Sequence, residues 1–209
     1  MKLIQPQGTI TQKFGRNDVD YKIYGYGGHP GIDFTNGFKS SILALADGRI
    51  YKILNKNCPN LAGNRAVCQL VEDGEFVYEI VYLHALDIWC EVGDYVLTGE
   101  PICSEGNTGA VWTAVGGVLH EVNLEERQKG LGSHLHLGVK KCKKVLQVEN
   151  GKTYLCDENG KNYFDGFYYE VIQNELGGFI DPSQFFYKPT ISQILENIKR
   201  SLLNILKQL

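Results

Sequence analysis

Histidine is scarce in this 209-residue chain, with five copies, and four of the five fall into patterns that could do chemistry. His29 opens His-Pro-Gly-Ile-Asp, which sets an imidazole four residues from the carboxylate of Asp33. His134 and His136 form His-Leu-His, and His84 sits in Tyr-Leu-His-Ala-Leu. Side chains alternate across a strand with period two, so a His-x-His strand holds both imidazoles on one face and turns Leu135 and Leu137 to the core. Two imidazoles and one carboxylate make the ligand set of a catalytic zinc with its fourth position open, whereas a structural zinc is more often closed and richer in cysteine. Spacing alone leaves a second reading, in which each histidine is an ordinary hydrogen-bonded polar residue. His120, in Leu-His-Glu-Val-Asn, is expected in a solvated loop or short helix, with a second metal site shared with Glu121 as the alternative.

These side chains need a frame to hold them. Pro30 and Gly31 argue against a helix at His29, so that segment reads as a turn feeding a strand. It aims an imidazole and a carboxylate at one point only if the fold brings another ligand to them. Ile42–Ala46, Arg49–Leu54, Phe76–Leu83 and Tyr95–Leu97 read as strands, mostly β-branched or aromatic, with turns at Asp47-Gly48, Asp73-Gly74 and Gly93-Asp94. Most neighbours are close enough for antiparallel hairpins, and no long helical crossover separates them. Asn150-Gly151 and Asn159-Gly160 mark further tight turns, so residues 140–178 read as added hairpins. The fold class is therefore mainly β, an antiparallel sheet domain over residues 1–188. From Thr190 onward Ile191, Ile194, Leu195, Ile198, Leu202, Ile205, Leu206 and Leu209 recur at helical spacing, which predicts one amphipathic C-terminal α-helix over 189–209. Thr190 with Gln193 forms a capping-box pattern, and Glu196 and Arg200 an i,i+4 pair. Its apolar stripe is expected to pack on the domain or to mediate self-association; three basic residues suit an anionic membrane surface poorly.

Composition excludes several classes. Hydrophobic residues at 43% and charged ones at 22% are those of an ordinary globular protein. A net charge of -3 offers no broad basic face, so nucleic acid is not an expected partner. No apolar run approaches the ~18 residues of a membrane span, so no transmembrane segment is expected. The N-terminus shows no apolar leader, so no signal peptide is expected either. Six cysteines fall as three local pairs, Cys58 with Cys68, Cys90 with Cys103 and Cys142 with Cys156, and contain no C-x-x-C for a zinc knuckle. Buried thiols are the expectation; three hairpin-bracketing disulfides are the alternative.

The residues around the histidines carry more information. In order they run Gln-Lys-Phe-Gly (12–15), Gly-His-Pro-Gly-Ile-Asp-Phe (28–34), Ala-Leu-Ala-Asp-Gly-Arg-Ile (44–50), Tyr-Leu-His-Ala-Leu (82–86), Val-Gly-Asp-Tyr-Val-Leu-Thr-Gly-Glu-Pro-Ile (92–102), Gly-Asn-Thr-Gly (106–109) and His-Leu-His-Leu-Gly-Val (134–139). This series resembles the lysostaphin/LytM-type zinc endopeptidases over roughly residues 8–187. The resemblance implies an antiparallel β fold with a long open groove, and hydrolysis of stem or cross-bridge peptides of bacterial peptidoglycan. It implies Zn2+ held by His29, Asp33 and His136, with a zinc-bound water as nucleophile. It implies His84 and His134 as catalytic histidines that are not ligands, one as general base and the other steadying the oxyanion. Its site of action would be the cell wall, as in a phage-encoded lytic enzyme. The alternatives on the same fold are a non-catalytic wall-binding or regulatory module and a phage tail component. Two departures stand out: 23 residues between Gly109 and Ser133, where the family has only a few, and the hairpin region after Lys140. The 110–132 insertion is expected to rim the groove on the His134 side and restrict or select the substrate, with a tolerated surface loop as the alternative. Asn107 reads as a turn residue, and the aromatic cluster Tyr163 to Tyr169 as core packing rather than a glycan platform.

Overall fold

The structure, a computed structural model, describes residues 1–56, 63–145 and 168–208. In chain order its elements are β1 (Leu3–Ile4), β2 (Thr9–Gln12), β3 (Ile32–Thr35), β4 (Ser41–Leu43), β5 (Gly48–Leu54), β6 (Ala66–Asp73), β7 (Phe76–Leu83), β8 (Tyr95–Val96), β9 (Pro101–Ser104), β10 (Trp112–Val115) and β11 (Val118–Glu121). A short helix α1 (Leu124–Gln128) follows, then β12 (Leu135–Val145), β13 (Tyr168–Val171), β14 (Phe179–Ile180), β15 (Phe186–Tyr187) and the C-terminal helix α2 (Ile191–Gln208). Among the described residues nine strands form the main antiparallel sheet in the order β2-β3-β12-β7-β6-β5-β8, with β13 and β14 also paired to β12. The fold is thus mainly β as the sequence implies, and β12 is the hub of its sheet.

Both faces of this sheet are covered. Ile50, Val67, Ile80, Tyr82, Leu137 and Val139 point into the larger core, while Tyr51, Cys68, Leu70, Val77, Cys142, Tyr169 and Val171 fill a second cluster on the other face. Each fully buried aliphatic side chain contributes roughly 1.5–3 kcal/mol. Covering on both sides explains β6, where Ala66 to Val71 are all buried and no apolar-polar alternation marks the strand.

The expected strand at 42–46 is shorter, because β4 stops at Leu43. Beyond it the backbone bonds to side chains and turns instead of a ladder. Leu45 N–H donates to the Tyr82 hydroxyl at 3.0 Å, and Gln69 Nε2 donates to the Ala46 carbonyl at 2.7 Å. Tyr82 in turn donates to Gln69 Oε1 at 2.7 Å, so this buried triplet ties the Ala-Leu-Ala loop to the sheet.

Cys68, Cys90, Cys103 and Cys142 are free and buried, which excludes a Cys90–Cys103 disulfide in this structure; Cys58 and Cys156 lie outside the described residues. Burial pushes the Cys90 thiol up to about 11 and the Cys142 thiol up to about 12, so neither supplies thiolate at neutral pH. Tyr169 is a core residue, whereas Tyr163, Phe164 and the Asn-Gly turns at 150 and 159 also lie outside the described residues.

Helix α2 starts as the capping pattern predicts, with Gln193 N–H donating to Thr190 Oγ1 and Thr190 N–H to Gln193 Oε1. Close packing of its stripe on the domain, one of the two expectations, is not what the structure shows. Ile191, Leu195, Ile198, Leu202 and Leu206 are all more than half exposed. Arg200 pairs with Asp47 at 2.7 Å, tethering the helix to the domain through a salt bridge.

Candidate functional site

Register builds the centre of the site. Strand β3 lies beside β12 with Asp33 directly opposite His136. His29 comes from the turn before β3, and its Nε2 lies 3.1 Å from Asp33 Oδ1 and 2.9 Å from His136 Nδ1. His136 Nδ1 is 3.0 Å from the same Asp33 oxygen. Gly31 is required between them, since a Cβ there would lie 2.5 Å from the Leu137 carbonyl oxygen and 2.7 Å from His136 Nε2.

Three ligand atoms thus meet at one point, and the three side chains are all buried. A tetrahedral zinc about 2.0–2.1 Å from each ligand holds its ligand atoms roughly 3.3 Å apart, so the donor set fits one such ion after a few tenths of an ångström of outward relaxation. His29 is prepared for that role: its Nδ1 lies 3.1 Å from the Lys13 carbonyl, to which only an N–H can donate, and this leaves the Nε2 lone pair facing Asp33. Burial alone would raise the Asp33 carboxyl, but the His136 and His29 imidazoles against it outweigh that effect and hold the group far below the usual carboxylate range. Burial depresses His136 in spite of its bond to Asp33, which keeps the ring neutral and able to ligate.

Two further imidazoles stand beside this cluster. His84 follows the end of β7 and has a left-handed backbone, φ +66°, a conformation that costs a β-carbon residue about 1–3 kcal/mol and is retained where the surroundings enforce it. Its Nδ1 lies 2.7 Å from the Thr108 carbonyl, and His134 Nδ1 lies 2.8 Å from the Gly132 carbonyl. Both rings therefore carry the proton on Nδ1 and leave Nε2 as the free lone pair. The two rings are 4.6 Å apart between centroids, and His134 Nε2 is 3.8 Å from Asp33 Oδ2. Burial, and then the neighbouring His134 and His136, hold His84 well below the ordinary imidazole range.

A family model described as peptidase family M23 matches residues 27–148, a stretch that contains all five of these residues. The chain belongs to peptidase family M23. Among solved structures similar to this M23 chain, LytU is 28% identical over 65% of this chain and 74% of its own, with a TM-score of 0.45. The catalytic domain of the antimicrobial peptidase lysostaphin from Staphylococcus simulans is 17% identical over 85% of this chain and 91% of its own, with a TM-score of 0.47. The catalytic domain of the prophage-encoded M23 protein EnpA from Enterococcus faecalis, in a mutant form, is 17% identical over 64% of this chain and 80% of its own, with a TM-score of 0.41. No curated protein matches the chain.

In this M23 chain the histidines open onto a cleft of about 610 Å³. Tyr21, Tyr24, Tyr26, Trp112 and Leu119 are among the residues that line it. Trp112 and Leu119 come from the 110–132 insertion, which folds as the β10–β11 hairpin followed by α1, so the insertion contributes to the lining of the cleft. The hairpin turns through Gly116 and Gly117, at φ +60° and +81°, the positive pair that a two-residue type I′ loop demands. Asn107 is more than a turn residue. It is fully buried, donates from Nδ2 to the Arg127 and Leu131 carbonyls at 3.2 and 2.7 Å, and accepts at its own carbonyl from the buried Arg127 guanidinium. His120 lies on β11, not in a loop, and is 2.8 Å from Glu126, in a half-buried pair; neither residue lines the cleft.

Sequence reasoning brought His29, Asp33, His84, His134 and His136 to one place, as the structure does. It did not find Tyr21, whose ring packs 5.2 Å from His29 and whose hydroxyl donates to Gln12 Oε1 at 2.8 Å. Burial, then the Asp33 charge, raises that phenol well above its usual range, so it stays a proton donor.

Proposed function

We propose that the protein is a zinc-dependent endopeptidase that hydrolyses peptide bonds in the stem or cross-bridge peptides of bacterial peptidoglycan. The observation that carries this reading is the convergence of His29 Nε2, Asp33 Oδ1 and His136 Nδ1 within 3.1 Å, beside two imidazoles whose Nε2 lone pairs are free. His29, Asp33 and His136 would hold the ion. Zinc bound there would polarise a carbonyl and make a water acidic enough to yield hydroxide near neutral pH. The chain's own residues do the remainder. One of His84 and His134 accepts the proton of the attacking water at Nε2. The other, in its doubly protonated form, donates from Nε2–H to steady the negative charge that develops on the scissile carbonyl oxygen, because its Nδ1–H is committed to a backbone carbonyl. The Thr108 and Gly132 carbonyls hold the Nδ1–H of each ring and leave both Nε2 atoms for the reaction, and burial keeps His84 neutral before it begins. Membership of a peptidase family supports a peptide as substrate, and the resemblance of the seven motifs to lysostaphin/LytM-type enzymes supports a wall peptide.

The test is zinc content by elemental analysis together with dye release from purified, dye-labelled cell walls, for wild type and His136→Ala. One zinc per chain with release, both lost in the variant, is the expected result. A folded wild-type protein that binds zinc and cleaves no wall would overturn the substrate; one that binds no zinc would overturn the reading as a whole.

A further inference from the structure

Glu105 is 1% exposed, and among the described residues no Lys, Arg or His pairs with it. A buried carboxylate without a cation is costly unless several donors converge on it. Five do. Oε1 accepts from Thr35 Oγ1 at 3.2 Å, Gly37 N–H at 3.3 Å and Ser133 Oγ at 3.1 Å. Oε2 accepts from Asn36 N–H at 2.7 Å and Ser40 Oγ at 3.3 Å.

The donors come from two places that matter to the site. Thr35 lies two residues beyond Asp33 on β3, and Ser133 immediately precedes His134. The β3–β12 ladder ends at the Phe34–Leu135 pair, so Glu105 ties the two strands together where their own hydrogen bonds stop. Thr35 Oγ1 also reaches the Ser133 carbonyl at 3.4 Å. On the other side of Glu105, the Gly106 carbonyl accepts from His134 N–H at 3.0 Å. A Cβ on Gly106 would lie 2.7 Å from the His84 carbonyl oxygen, so the backbone beside Glu105 is wedged between the two auxiliary histidines. Two residues on, Thr108 supplies the carbonyl that holds the His84 ring.

We propose that Glu105 is a positioning residue for the candidate reaction, an anionic clasp that fixes His134 and His84 relative to the three ligands. The inference rests on the function proposed above. Its chemistry calls for a carboxylate, because the backbone N–H groups of Asn36 and Gly37 donate to different oxygens and neither can reverse. An amide of the same shape sets its NH2 against one of them. The arrangement that spares the 2.7 Å bond to Asn36 puts that NH2 at the Oε1 position, where Thr35, Gly37 and Ser133 converge.

The test compares zinc-loaded wild type, Glu105→Gln, Ser133→Ala and Thr35→Val by dye release from labelled walls at saturating and limiting substrate, by melting temperature, and by imidazole ¹⁵N shifts. Glu105→Gln is expected to keep one zinc per chain and to lose turnover roughly ten- to a hundredfold with little change in half-saturation, as a displaced catalytic group does. The ¹⁵N shifts of His134 should lose the pure Nδ1–H tautomer pattern. Ser133→Ala and Thr35→Val each remove one bond to Glu105, Thr35→Val also the contact with the Ser133 carbonyl, and should lose about three- to tenfold in the same direction. If Glu105→Gln does not fold, these two variants decide. Variants that melt lower but turn over at the wild-type rate, with His134 shifts unchanged, would assign Glu105 a purely structural role and overturn the proposal. If wild type cleaves no wall, the function fails, while the ¹⁵N shifts still report whether Glu105 fixes His134.

Discussion

Gly132 closes the 110–132 insertion just before β12, and replacing it with alanine sets two separable costs. Its φ is +68°, and a Cβ there would lie 2.8 Å from Val111 Cγ1 and 2.9 Å from Val122 Cγ2. The left-handed backbone costs an L-residue about 1–2 kcal/mol. Forcing a methyl between two packed valines adds about 1–3 kcal/mol, since a well-packed core has no room to yield. The stiffer unfolded chain offsets about 0.4–1 kcal/mol of this. The net loss is about 2–4 kcal/mol, which in a domain of this size lowers the melting temperature by roughly 5–15 °C. Gly116→Ala is the control, because Gly116 has φ +60° and nothing within 4 Å of the added carbon. It bears the backbone cost alone, a net of about 0.5–1.5 kcal/mol. Circular dichroism melts of both variants and wild type give the comparison. Turnover of Gly132→Ala should fall as well, because the Gly132 carbonyl holds His134 Nδ1. A Gly132→Ala melt no lower than that of Gly116→Ala would refute the packing argument.

Three further predictions follow from the site. His84→Asn, which tolerates the left-handed backbone, and His134→Asn should each keep one zinc per chain while losing about 10²–10⁴-fold in wall hydrolysis; loss of the metal in either would make it a ligand. His84 is held neutral by burial and by its histidine neighbours, whereas the unfolded chain takes up that proton near pH 6.5. The unfolded state therefore binds more protons below that pH, so stability is full above it and falls on acidification, by at most about 1.4 kcal/mol per pH unit from this group. Urea denaturation of wild type and His84→Asn at pH 7.5 and 5.5 should show a smaller acid loss in the variant. Finally, Trp112→Ala with Leu119→Ala opens one wall of the cleft and should change the ranking of wall types cleaved while leaving zinc content alone; an unchanged ranking would make the hairpin a bystander.

What the sequence reveals here tracks how locally each feature is encoded. The five residues of the centre are legible as a group because His-x-x-x-Asp and His-x-His are short, and because the flanking motifs also point to His84. Strands β5 and β7 are legible for the same reason, as runs of β-branched and aromatic residues between Gly-containing turns. Strand β6 escapes, because a strand covered on both faces shows no alternation. Glu105 escapes more completely. It reads as one more polar residue before Gly-Asn-Thr-Gly, and its five donors come from 28 to 70 residues away in sequence. The carbonyls of Thr108 and Gly132 carry no side-chain signature at all. The exposed stripe of α2 is half legible, since periodicity foretells the helix and its cap but not that Arg200 turns from Glu196 to Asp47.

The parallel pairing of β1 with β15 sets Leu3 beside Phe186 and Ile4 beside Tyr187. The two ends of the sheet domain therefore lie side by side, away from the histidine cleft. A short linker could join them and new ends could be opened at the Gly74 turn or the Gly116–Gly117 tip without moving a ligand. The same closeness makes the domain a cassette: spliced into a loop of a host protein, it would enter and leave at nearly one point and disturb its host little.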